Sequence, residues 1–151
     1  MLHGGMAARE VVTGEALGSR SLALALDQVS RCLDSALPPT GLLAGEFVGE
    51  DADDGVNDSL VFHVSLDPHG SQWSDVRRVR FFVDEDDSGV PGLMRGLTNN
   101  LLASSTPEEN VQVLCRSVGS FQVRYYDGGE WTDSWDSTDR GDVLPKAVRL
   151  R

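Results

Sequence analysis

The chain has 151 residues, 40% of them apolar and 25% charged, values that suit one globular domain with its own core and exclude a disordered chain. Thirteen Lys and Arg against 24 Asp and Glu leave a net charge of −11, which repels phosphate backbones and anionic lipid. The densest basic run, Arg77, Arg78 and Arg80, sits on a strand-like stretch, so nucleic acid is set aside as a partner. No apolar run approaches the roughly 18–20 residues that span a bilayer, and the chain as given is expected to be soluble.

Residues 1–6 have neither a basic nor an apolar targeting region and read as a trimmed start. From Ala7 to Leu37 there is no proline, and good helix formers dominate. Leu22, Leu26, Val29, Leu33 and Leu37 fall on one helical face, with Val11 on the same stripe. Pro38-Pro39 then ends the segment. The spacing predicts a stem helix over residues 7–37, roughly 46 Å long at 1.5 Å per residue. A compact domain of this size is only about 40 Å across, so one end of the helix is expected to protrude.

Gly14 and Gly18, at the edge of that stripe, each cost roughly 1 kcal/mol in a helix interior, and close approach of a neighbouring helix is the usual compensation. Leu17 and Leu24 lie on the otherwise polar side with Arg20, Asp27 and Arg31. These four positions, Gly14, Leu17, Gly18 and Leu24, are the candidates for packing against other subunits. The competing reading is a frayed end with ordinary exposed leucines.

Residues 38–151 change period. Alternation over Leu60–Leu66, Arg78–Val83, Val111–Cys115 and Phe121–Tyr125 predicts strands, and Ala147–Leu150 begins a last one. Gly-, Asp- and Pro-rich segments separate them. One long helix followed by hairpins is an α+β pattern: a stem helix packed on antiparallel β-sheet as one domain.

Residues that could carry chemistry are sparse. Asp84, Asp86, Ser88 and Gly89 match the first half of a calcium loop, but the bidentate Glu position is Arg95 and Pro91 intrudes, so a solvated turn is favoured. Asp51, Asp53, Asp54 and Asp58 form a looser acidic cluster without that register. His63 lies on the strand face opposite Leu60 and Phe62 and reads as a surface residue. There is no nucleophile elbow, Walker, GxGxxG or HExxH motif, so no catalytic, metal or cofactor residue is assigned and no enzyme is expected. Trp131 and Trp135 flank Asp133 on a polar segment; they either stack on a ligand or fold inward as anchors, and the second is favoured. Cys32 and Cys115 fit no CxxC motif and are either one bridge or two packed thiols, with the thiols favoured.

The order of these features resembles minor pseudopilin J of type II secretion systems. Arg20–Gly41 is similar to the soluble half of a pseudopilin stem, and Phe47-Val48-Gly49-Glu50 with Leu60–Leu66 to its first strands. Val118–Tyr126, Asp127-Gly128-Gly129, Trp131, Trp135 and Leu144–Leu150 resemble its carboxyl end. The resemblance implies a structural subunit of the pseudopilus tip, joined to pseudopilins I and K, and often H, through stem helices. It further implies a processed, methylated N-terminus on an apolar inner-membrane helix, which the chain as given does not include because it was removed or because the native start differs, and a head in the periplasm of a Gram-negative bacterium. A periplasmic setting allows a Cys32–Cys115 bridge. Two rival readings are a minor pilin of a type IV pilus and a periplasmic glycan- or peptide-binding module using Trp131 and Trp135.

Overall fold

The structure is a computed structural model that describes residues 8–11, 19–39, 45–52, 57–65, 76–99 and 108–151. The helix is shorter than its apolar stripe suggests. It is α1, Ser19–Asp34, 16 residues and about 24 Å long. Ala8–Val11 is instead a strand, β1, and the expected protruding stem over 7–37 is not seen. Val11 is β-branched and tolerates extended backbone well. Pairing with an open sheet edge gives the backbone of β1 its hydrogen-bond partners.

The carboxyl end of α1 also stops early. Ser35 and Ala36 donate to the carbonyls of Cys32 and Leu33 at 3.0 and 3.1 Å, tightening the last turn. Ala36 then bridges Val64, and the Leu37 N–H donates to the His63 carbonyl at 2.9 Å. Leu37 precedes Pro38 and is therefore biased towards extended geometry, which the strand bridge uses.

Nine further strands follow: β2 (Val48–Glu50), β3 (Ser59–Ser65), β4 (Val76–Glu85), β5 (Pro91–Thr98), β6 (Glu109–Arg116), β7 (Val123–Tyr126), β8 (Trp131–Thr132), β9 (Trp135–Asp136) and β10 (Ala147–Leu150). They form a six-stranded sheet in the order β6-β5-β4-β3-β2-β9 and a four-stranded sheet in the order β1-β10-β7-β8. All pairings are antiparallel except β1 with β10, whose register sets Ala8 beside Ala147 and Val11 beside Leu150.

The buried face of α1, Ala25, Leu26, Val29 and Leu33, shares one core with Leu60, Phe62 and Val64 of β3, Val79 and Phe81 of β4, and Leu93 of β5. Alternation along these strands turns Arg78, Arg80 and Phe82 to the other face of the sheet. An aromatic row continues the core into the second sheet. Phe81 meets Phe62, Phe62 stacks on Phe47 at 5.4 Å, Phe47 meets the edge of Tyr125 at 6.2 Å, and Tyr125 meets Trp135 at 6.4 Å.

β5 is a central strand that alternation does not predict, because Pro91, Gly92 and Gly96 interrupt it. Gly96 is there for space: a Cβ would overlap the Glu109 carboxylate lying across it.

Candidate interaction surfaces and the sheet junction

Of the four positions expected to pack against other subunits, Gly14, Leu17 and Gly18 lie outside the described residues. Leu24 is on α1 and 60% exposed, on the side away from the core. Beside it on the solvent side, Arg31 pairs with Asp27 at 2.8 Å, an exposed i,i+4 contact worth a few tenths of a kcal/mol. The helix thus has one committed face and one available face, and Leu24 is its exposed large hydrophobe.

Cys32 and Cys115 are both free. Burial raises the pKa of each thiol. For Cys32 the nearby Arg95 guanidinium offsets only part of that effect. Arg95 also donates to Gln112 at 2.6 Å, so it ties the helix to β5 and β6. Two packed thiols, rather than a bridge, fit this helix–sheet layer.

The acidic loop between β4 and β5 is a hairpin turn. Asp86 accepts from the N–H groups of Ser88 at 2.8 Å and Val90 at 3.0 Å, and its second oxygen faces Arg116 at 3.7 Å. These backbone donors, with Arg116 adding, hold the Asp86 carboxyl below its ordinary range. The turn closes through Gly89, whose φ of +78° is a left-handed value. Its carboxylate is therefore occupied by its own backbone, as a turn requires.

Asp58 does different work from the cluster it was read in. It is 4% exposed and clasps the two sheets. One oxygen accepts from the Val123 N–H at 2.8 Å, the other from the Ala52 N–H at 3.2 Å, and its own N–H donates to the Phe121 carbonyl at 2.8 Å. Burial pushes its carboxyl above the ordinary range, the two backbone donors pull against that, and the Asp51 carboxylate adds to the rise. Asp53 and Asp54 lie outside the described residues. Next to the clasp is a polar cavity of about 460 Å³ whose lining includes Asp51, Arg124, Asp133 and Arg149. Arg124 pairs with Asp133 at 2.9 Å, and Arg149 lies over the Trp131 ring at 4.4 Å.

Trp135 is turned inward. Its ring is 3% exposed, its Nε1 donates to the Val143 carbonyl at 3.1 Å, and the Arg140 guanidinium covers one face at 4.1 Å. Trp131 is half-buried between Tyr126 and Arg149. The pair anchors the irregular segment before β10 instead of forming an open stacking platform. His63, expected at the surface, is half-buried beside Gly45. Burial lowers its pKa and the Arg78 charge lowers it further, while the Glu46 charge and then the Glu46 backbone oppose both.

On the outer face of the large sheet, Arg80 holds Glu109 in a two-pronged ion pair at 2.6 and 2.9 Å and covers the Phe82 ring at 3.8 Å. Sequence reading flagged Arg80 only as a basic run. Nothing in the local pattern links it to Glu109, which is brought alongside by β5.

These elements describe an α+β head that offers a helix face and sheet edges. The family model for type II secretion system protein J matches residues 1–151, and the chain belongs to that family. A comparison with curated proteins finds no match. Membership makes the protein a pseudopilin-type component of the type II secretion system, in a structural family of the cell envelope. Among the described residues no helix is long and apolar enough to cross a membrane.

Proposed function

We propose that the protein is a minor pseudopilin of the pseudopilus tip, which helps to initiate assembly and so supports export of folded proteins across the outer membrane. Its partners in this reading are pseudopilins I and K, and often H, met through α1 and the residues preceding it. The head stands in the periplasm, and an N-terminal apolar segment of the whole protein, processed and methylated, holds it to the inner membrane. The observation that carries the reading is the two-faced helix: Leu26, Val29 and Leu33 are buried, whereas Leu24 is exposed on the opposite side. An exposed leucine on an otherwise polar helix face suits a modest helix–helix contact that is completed only in the assembly.

The test is a pull-down with pseudopilins I and K. Leu24→Glu and Leu17→Glu, separately and together, should weaken capture at least tenfold while circular dichroism and thermal melting stay unchanged. Unaltered capture by the double variant would sink the assignment of this face.

A further inference from the structure

The four edges of the two sheets are unequal. β8 and β9 are two residues long, and β1 is four. β6 is eight residues long, and among the described residues no strand lies beyond it. Natural edges are kept solitary by shortness, charge, proline or cover. β6 has little of this protection at its centre. Asn110–Leu114 contains no charged residue, in a chain of which 25% is charged. Asn110, Val111, Gln112 and Val113 are all exposed, so among the described residues the strand is open along its edge and on its valine face, while on the other face Gln112 accepts from Arg95 at 2.6 Å. Val111 and Val113 are 49% and 40% exposed and share one face.

We infer that β6 is a docking edge for a second copy of this chain, paired antiparallel about a two-fold axis at Gln112. The sequence of the strand is self-complementary in that register. Val111 of one copy stands opposite Val113 of the other, so four valines form one cluster on one face. Gln112 meets its own counterpart on the other face, where its Oε1 already accepts from Arg95 and its amide N–H groups remain to donate to the facing amide. A register shifted by one residue would set Val113 against Gln112 and place apolar and polar side chains together. The β-bulge between β5 and β6 beside Leu93 and Met94 limits the run at Leu114, so the contact is short. Because the arrangement is isologous, it closes at two copies. The opposite edge of the same sheet, β9, is too short to continue it. This inference does not involve α1 and stands or falls apart from the reading above.

Sedimentation equilibrium tests it. The mass should double from 16.3 kDa as concentration rises from about 10 to about 500 µM, as suits an interface smaller than ~1,200 Å². Val111→Lys and Val113→Lys change exposed side chains, so each should fold normally and move the dissociation constant at least tenfold upward. Leu24→Lys should not move it. Gln112→Cys, in a Cys32→Ser, Cys115→Ala background, should form a disulfide-linked dimer on mild oxidation, whereas Asp133→Cys should not. A mass that stays monomeric, a dimer indifferent to both lysines, absence of the Gln112→Cys cross-link, or open-ended polymers would each overturn it.

Discussion

The phenol of Tyr125 on the small sheet lies directly over the bare α-carbon of Gly49 on the large one. A Cβ at Gly49 would fall within the hydroxyl end of the ring, so glycine is required by a close approach between sheets. Tyr125 is completely buried, and among the described residues its hydroxyl meets no hydrogen-bond partner. Burial, with Asp58 and Asp51 nearby, raises its pKa well above the ordinary phenol value. Gly49→Ala should therefore destabilise by about 2–3 kcal/mol through overpacking, as measured by urea unfolding. Tyr125→Phe removes a buried orphan hydroxyl and should be neutral or stabilising by about 1 kcal/mol. Combined with Gly49→Ala it should recover part of the loss, since the overlap is with the hydroxyl end.

The Asp58 clasp makes a pH prediction. Asp58→Ala leaves the buried Val123 N–H and the part-buried Ala52 N–H without their acceptor and should cost about 2–3 kcal/mol. The shift of Asp58 is upward, so the folded state holds its proton more tightly than the unfolded state does. Between the unfolded value of 3.8 and the higher folded one, this group makes stability fall as pH rises. Asp58→Asn should abolish that slope in melting temperature, at the expense of one of the two backbone contacts.

Glu109 acts in the opposite sense. The hydrogen bonds from Arg80 hold its carboxyl below the ordinary 4.5, with the Arg80 and Arg78 charges adding and burial opposing. The stabilisation is complete above 4.5 and is lost as pH falls through the lower folded value. Both side chains keep partial contact with solvent, at 34% and 25%, so Glu109→Gln should cost only about 1 kcal/mol at neutral pH. Acid melting of the variant should be flatter than that of the parent below 4.5.

Thiol chemistry should report the helix–sheet layer. Without reductant, unfolded protein should yield two thiols to a colorimetric reagent, because neither cysteine is bridged. In the folded protein both should react slowly at mildly alkaline pH, since burial raises their pKa values and keeps the thiolate scarce. A single or absent thiol in the unfolded sample would contradict the packing described.

Much of this was legible in the sequence. The apolar stripe Leu26, Val29 and Leu33, the alternation of Leu60, Phe62 and Val64, and the stop at Pro38 all reflect local periods that side-chain burial enforces. β5 was not legible, because its glycines look like breakers until Glu109 is seen to need the space over Gly96. β1 was not legible either. Its residues suit a helix face, and only the open edge of β10 offers the alternative.

By itself, then, the sequence determined the α+β class, one helix face, five of the ten described strands and a family resemblance carried by order and spacing. Tertiary structure decided where the helix begins and which acidic residue is structural. It also decided which long edge, among the described residues, has no strand beyond it. Those outcomes depend on contacts between residues far apart in the chain, such as Asp58 with Val123, Arg80 with Glu109 and Gly49 with Tyr125. Local propensity is worth tenths of a kcal/mol per residue, whereas an unpaired buried N–H or an overlapping atom costs kilocalories, so the distant contacts prevail.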